Sequence, residues 1–365
     1  MRVHIHLSAG FSMETWTPMY GAGLKPDESP YGYHHLSRTH FVTWSCDGPE
    51  SRIMSLFRRF TKALLGFDFQ HAWRNRHHWK RADVIITHTE YESIAVSAVR
   101  KLVDLFSLGR ATQPRLIAQS VWTADRWERL GPVRRWLHRA LLVAADHRVT
   151  LSPLNAERLE EILSARPVNF VPFGISTESF PTAAPVMLKG KPFRLLAIGN
   201  DVHRDWETLR NAQFRSPEYR LTVASRSSKA RCLKEESGAR ICTPVTAAEV
   251  LQLYRESNIV IVPLHKNLHA SGITVVLEAV SLGKPVVCAR AGGIEAYFDH
   301  DEVMYYEVGN AESLRAAVKA MCDPVTASRY ASKAQFRFSQ ENYSSAGYSA
   351  RILALAVGND PHIGD

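Results

Sequence analysis

Hydrophobic and polar positions alternate from Arg2 to Leu7, with Val3, Ile5 and Leu7 set against His4 and His6, which is the period of a strand. Apolar runs at Phe41–Ser45, Asp83–Thr87, Arg115–Val121, His147–Leu151 and the shorter Val168–Pro172 predict further strands. Longer stretches lie between them, and this spacing predicts a parallel sheet with helical crossovers. Pro181-Thr182-Ala183-Ala184-Pro185 then reads as a linker. A second alternating region follows, with strands predicted at Phe193–Ile198, Tyr219–Ala224, Asn258–Pro263, Pro285–Ala289 and Val303–Glu307. Helical spacing is found at Ala247–Arg255, Thr274–Leu282, Ala311–Met321 and Thr326–Val357. Two Rossmann-like α/β domains are expected: 1–170, a linker at 171–190, 191–335, and a terminal helix over 336–365 that packs back toward the first domain.

Composition narrows the class. The 365 residues are 45% hydrophobic and 22% charged, which suits a globular protein of two domains. The five cysteines are scattered without metal or redox spacing, so a reducing compartment is expected. No apolar run approaches the roughly 20 residues that span a bilayer, so a cytoplasmic, non-integral protein is expected. The net charge of +9 is concentrated, since residues 51–150 carry 18 Lys/Arg against 8 Asp/Glu and the remainder is nearly neutral. A localised basic surface points to a phosphate-rich partner: a membrane, a nucleic acid or a diphosphate lipid.

The segment Pro263–Gly293 carries the most chemistry. A strand ends at Pro263, and a loop with Lys266, His269, Ser271, Gly272 and Ile273 opens a helix near Thr274, all candidates for the donor. The free N–H groups of such a helix start make an anion site, and Gly272 lets a phosphate approach the backbone. Lys266 and His269 add positive charge or a donor there, or are ordinary loop residues. Glu278, within that helix, can accept hydrogen bonds from ribose hydroxyls. Gly283-Lys284-Pro285 closes the helix, and Gly292-Gly293 forms a turn after the next strand.

These residues resemble the donor-site signature of family 4 of the GT-B glycosyltransferases. Glu278 matches the second of the family's two glutamates and Gly292-Gly293 its glycine turn. Position 270, where the first glutamate holds hydroxyls of the donor sugar, is Ala270 here, so neither the sugar nor a retaining mechanism carries over. Val171–Phe180 is similar to the family's interdomain signature. Ile198-Gly199-Asn200, with Arg204-Asp205-Trp206, is similar to the first donor-domain loop, which assigns Arg204 to the diphosphate. The resemblance is dense from about Val171 to Leu314. It implies a GT-B fold whose two sheets face each other across a cleft. A nucleotide sugar, UDP-linked by expectation, is a substrate held by the second domain, and a lipid-linked or saccharide acceptor is held by the first. Members of this kind work without a metal, which makes the Asp299-His300-Asp301 triplet a surface loop rather than a cation site.

An inverting transfer needs a base on the acceptor hydroxyl. Residues just past the strands of the first half are candidates: His88, Glu90 and Asp125. Asp125 is placed similarly to the catalytic aspartate of bacterial exopolysaccharide glucuronosyltransferases of this fold. The bland alternatives are a helix cap for Asp125, a first-turn acid for Glu90 and a structural strand-end histidine for His88. Gly10, in the glycine-containing loop Ser8–Gly32, sits at the first strand–helix junction and is a candidate for ligand contact.

Ile53, Phe57, Phe60, Leu64 and Phe67 recur at helical spacing among Arg52, Arg58, Arg59 and Lys62. Such a helix either lies on an anionic membrane or packs its apolar face on the core. Arg134, Arg135 and Arg139 beside Trp136 and Leu137 repeat the composition. The expected function is a glycosyltransferase of surface polysaccharide assembly, peripheral on the inner face of the plasma membrane. The alternatives are a nucleotide-sugar epimerase of the same fold, or a nucleic-acid-binding protein, for which no recognition motif is present.

Overall fold

Val84, Ile85 and Ile86 are wholly buried, and so are Ile259 to Val262. Continuous apolar strands of this kind belong to parallel sheets covered on both faces, and the molecule has two. The computed structural model describes residues 1–109, 113–188, 190–215 and 217–358. Contacts divide the chain into two units. The first holds Met1–Ala22, Glu28–Val171 and the chain from Ala346 onward, and the second Gly23–Asp27 and Pro172–Ser345.

In the first unit the strands are β1 (Arg2–His6), β2 (Phe41–Trp44), β3 (Val84–Thr87), β4 (Arg115–Gln119), β5 (His147–Thr150) and β6 (Asn169–Phe170). They are parallel in the order β2-β1-β3-β4-β5-β6, with Ile5 opposite Ile86 and Ile86 opposite Ile117. The order reverses between β1 and β3, and in doubly wound sheets ligands bind beyond the strand ends at such a point. Helix Glu90–Phe106 starts in a capping box made by Thr89 and Glu92 and packs into the main core cluster.

The second unit contains β7 (Phe193–Ile198), β8 (Tyr219–Ala224), β9 (Arg240–Cys242), β10 (Ile259–Val262), β11 (Val286–Ala289) and β12 (Met304–Tyr306). Their order is β12-β11-β10-β7-β8-β9, again parallel. This is the dinucleotide-fold order, and its switch point lies between β7 and β10.

Some elements differ from expectation. β9 spans only Arg240–Cys242, too short to leave a period in the sequence. The presumed glycine loop after β1 holds helix Met13–Gly21, capped by Ser12, and a 3-10 stretch over Pro30–Arg38. The run Thr326–Val357 is two helices, Pro324–Gln340 and Ser345–Val357, parted at Asn342, whose φ is 48°. The second of these belongs to the first unit, and residues 359–365 of the expected terminal helix lie outside the described residues. His4 and His6, set opposite the apolar face of β1, are buried too, because helix Phe69–Trp79 covers that side with His71 and Trp79. No helix among the described residues is long and apolar enough to cross a membrane.

Candidate active site

At the switch point of the second sheet, the loop after β7 meets the loop after β10. Arg204 bridges them through a β-bridge with Leu264, while Asp205 donates its N–H to the Pro263 carbonyl at 3.0 Å. The Asp205 carboxylate caps helix Trp206–Asn211 by accepting from Thr208 N at 2.9 Å. The backbone at Arg204 is thus fixed from both sides.

The guanidinium of Arg204 lies between two glycines. A Cβ on Gly199 would fall 2.0 Å from Arg204 Nε, and one on Gly272 would fall 2.7 Å from Nη1. Both glycines also have positive φ, 149° and 88°, a region costly for other residues. Arg204 is only 5% exposed, and its Nε and Nη1 have no partner in the protein. Burial lowers its pKa, and the nearby Asp201, Cys288, Tyr254 and Glu278 oppose that shift.

Helix Ile273–Ser281 begins here with Gly272 as N-cap and no side-chain cap bond. Ser271 donates its N–H to Asn267 Oδ1 at 2.9 Å, yet its buried Oγ is unpartnered. The end of the loop is thus a buried cation, an unpartnered hydroxyl and an uncapped helix start, the donor set for an anion. His269 is buried beside it, Ile273 packs inward, and Lys266 and Thr274 are exposed. Glu278 is buried further along the helix and accepts from Tyr254 Oη at 2.7 Å. Burial pushes its pKa up to about 7, against the Tyr254 hydrogen bond and the charge of Arg204.

Asp201, which the sequence did not single out, stands in the same loop as Gly199 and Arg204. His203 sets its backbone N–H at 2.7 Å and its Nδ1 at 3.0 Å from Asp201 Oδ1, and His269 Nε2 lies 3.6 Å from Oδ2. Burial alone would raise the Asp201 pKa, but the nearby His269 and the bonds from His203 hold it well below the usual range. Away from this loop, the Asp299-His300-Asp301 triplet has both carboxylates committed to cations of helix Pro324–Gln340, Asp299 to Arg337 at 2.9 Å and Asp301 to Lys333.

The first unit gathers its polar residues at its own switch point. Glu92 accepts from Ser8 N at 3.0 Å and Ser8 Oγ at 2.7 Å, and from His88 N at 3.0 Å and Thr89 N at 2.6 Å, tying the ends of β1 and β3 together. His88 is buried, its Nδ1 lying 3.2 Å from both Tyr33 Oη and Tyr348 Oη, with the Tyr31 ring stacked on it at 3.3 Å. Burial drives its pKa down to about 3, so it is a neutral member of a packed network at ordinary pH. The Glu90 carboxylate accepts from Val121 N at 3.0 Å and Trp122 N at 3.3 Å, which positions the loop after β4. Asp125 is half-buried in the short helix Thr123–Arg126, where Trp122 rather than Asp125 is the N-cap. Gly10 is exposed, with φ 91° and its N–H on Asp47 Oδ1 at 3.0 Å.

Helix Arg52–Leu65 buries none of its residues. Ile53, Phe57, Phe60 and Leu64 are 79, 54, 66 and 62% exposed. Packing of its apolar face on the core is thereby ruled out for this unit. Phe67 departs from the expected stripe: the helix ends at Leu65 before Gly66 in the left-handed region, and Phe67 turns into the core. Arg58 also departs, being held by Glu50 at 3.1 Å and Asp68 at 2.7 Å.

Residues 197–323 match the family described as Glycosyl transferases group 1. No curated protein matches the chain. Its fold is similar to that of sucrose-phosphate synthase from Thermosynechococcus elongatus, with TM-score 0.73 and 14% identity over 98% of this chain and 99% of that one. It is similar also to HepE from Anabaena, solved with UDP-glucose, with TM-score 0.70 and 13% identity over 98% and 99%. The lipopolysaccharide outer core galactosyltransferase WaaB follows, with TM-score 0.61 and 13% identity over 98% and 99%. Residues 197–323 are therefore a glycosyl transferases group 1 domain, and the two parallel α/β sheets of the chain are those of the GT-B glycosyltransferase fold expected from its sequence.

Proposed function

We propose that the protein transfers a sugar from a nucleoside diphosphate, UDP by expectation, to a lipid-linked or saccharide acceptor in surface polysaccharide assembly. The observation that carries this reading is Arg204. A buried cation with two unpartnered nitrogens is costly unless a bound anion completes it. Ser271 Oγ and the uncapped helix start at Gly272 supply the remaining donors, a set suited to a diphosphate. As the sugar departs, negative charge grows on the diphosphate, and these fixed donors stabilise it. Glu278 takes the ribose hydroxyls. HepE, of similar fold, has been solved with UDP-glucose and with UDP, which favours the uridine nucleotide.

The acceptor is assigned to the first unit, with Asp125 as the base that takes the proton of the attacking hydroxyl. Glu90 and His88 serve that unit better as positioning groups, because Glu90 is committed to two backbone N–H groups and His88 is neutral within a packed network. The exposed helix Arg52–Leu65 brings this unit to an anionic membrane surface, peripherally and on the cytoplasmic side. The test is release of free UDP from UDP-sugars in the presence of lipid-linked and saccharide acceptors. Acceptor-dependent release that falls about 10²–10⁴-fold in Asp125→Asn, with UDP affinity unchanged, supports the assignment. Conversion of the sugar without UDP release would favour an epimerase instead.

A further inference from the structure

Asp201 is out of place if its only neighbour is a diphosphate. It lies on the loop that carries Gly199 and Arg204, its carbonyl accepts the N–H of Arg204 at 3.2 Å, and its charge acts on the Arg204 guanidinium. A carboxylate next to an anion site repels the anion. The same ligand gains from this carboxylate where it carries neutral hydrogen-bond donors close to its phosphates. In a nucleotide sugar those donors are hydroxyls of the sugar, since the ribose is assigned above to Glu278, which accepts from Tyr254.

The geometry fixes Asp201 for such a role. Two bonds from His203 hold Oδ1, at 2.7 and 3.0 Å. Oδ2 is turned to His269 Nε2 at 3.6 Å, and the His203 and His269 rings meet edge to face with centroids 4.8 Å apart. The carboxylate is thus oriented by both loops of the switch point while its side chain stays 29% exposed. On the facing loop, Ala270 offers only a buried methyl group. No carboxylate stands at that position, and on the opposite loop Asp205 is committed to Thr208, which leaves Asp201.

We infer that Asp201 binds hydroxyls of the donor sugar and makes the site select a neutral hexose over a uronic acid. The inference rests on the nucleotide-sugar reading of the Arg204 site. A hexose offers Asp201 neutral O–H donors, whereas a uronic acid brings a second carboxylate next to it. UDP-glucose and UDP-glucuronate differ only at C6, and so do UDP-galactose and UDP-galacturonate, so each pair isolates this effect.

Calorimetric titration of the full chain with UDP and with these four nucleotide sugars tests it, for the wild type and for Asp201→Asn. The wild type is expected to bind at least one neutral UDP-hexose about tenfold or more tighter than the matching uronate. Asp201→Asn, which removes a charge that repels the diphosphate, is expected to bind UDP at least as tightly as the wild type, to lose about 10- to 100-fold for that hexose, and to narrow the gap to the uronate. Equal weakening of UDP and UDP-hexose would make Asp201 a support of the phosphate loop and overturn the inference, as would an unchanged preference. Failure of the wild type to bind UDP or any of the four sugars would overturn the donor reading itself.

Discussion

Arg204 occupies the space that a side chain on Gly199 would need, its Nε lying 2.0 Å from where the Cβ would stand. The anion site is therefore defined by an absence of side chain as much as by the arginine. Gly199→Ala must shift the guanidinium and accept a φ of 149°. The expected cost is about 1–3 kcal/mol of stability and at least a tenfold loss of UDP affinity, read by thermal unfolding and calorimetry. Wild-type affinity in the folded variant would mean that the guanidinium does not touch the ligand.

Glu278 gives a pH signature. Its folded pKa of about 7 is above the ordinary value of 4.5 because the carboxylate is buried. Between these values the folded protein holds more protons than the unfolded chain, so this residue makes stability fall as pH rises from 4.5 through 7. Glu278→Gln is expected to flatten that contribution, gaining more stability over the wild type at pH 8 than at pH 5. It is also expected to weaken UDP binding by about 1–3 kcal/mol. A stability difference independent of pH would contradict the buried acid.

The first unit responds in the opposite sense. Burial first, and then the charge of His78, pull the His4 pKa down to about 3 from an ordinary 6.5. Below pH 6.5 the unfolded chain takes up a proton that folded His4 refuses, so stability is full above pH 6.5 and is lost as pH falls toward 3. From pH 6.5 to pH 5 the loss from His4 alone is about 1.6 kcal/mol. His4→Leu is expected to be less stable than wild type at pH 7, through the lost bond to Thr43, and to close that gap by pH 5. Parallel curves of melting temperature against pH would refute this.

Helix Arg52–Leu65 exposes its aromatic and aliphatic side chains. Arg58 is neutralised by Glu50 and Asp68, so Arg52 and Arg59 are the charges to change. Sedimentation with anionic liposomes at low salt is expected to retain the wild type. Arg52→Glu/Arg59→Glu should release it, each basic residue contributing about 1 kcal/mol, and Phe57→Ser/Phe60→Ser should release it even where charge is screened. Equal binding of all three proteins would move the membrane contact elsewhere.

Much of this was legible in the sequence, for physical reasons. The apolar strands Val84–Thr87 and Ile259–Val262 are buried on both faces, so they stand out as unbroken runs. Gly199 and Arg204 follow β7, and Gly272 and Glu278 lie in the loop and helix that follow β10, on the side of the sheet where its parallel topology puts a site. What was not legible depends on tertiary contact. Asp201 looks like a loop acid until His203 and His269 close on it. Tyr254 is 24 residues from the Glu278 it bonds. Phe67 continues the helical spacing of Phe57, Phe60 and Leu64, but the left-handed Gly66 turns it inward. Glu90 has the look of a first-turn acid and becomes the anchor of a loop 31 residues away.

The central claim is that Arg204 and the start of helix Ile273–Ser281 hold the diphosphate of a nucleotide sugar. The most direct test is the affinity of the wild type and of Arg204→Gln for UDP and for uridine. The wild type is expected to bind UDP far tighter than uridine, and Arg204→Gln to remove most of that difference, about 1.5–3 kcal/mol, while leaving uridine binding unchanged. Equal affinity of the wild type for UDP and uridine, or full retention of the difference in Arg204→Gln, would contradict the account.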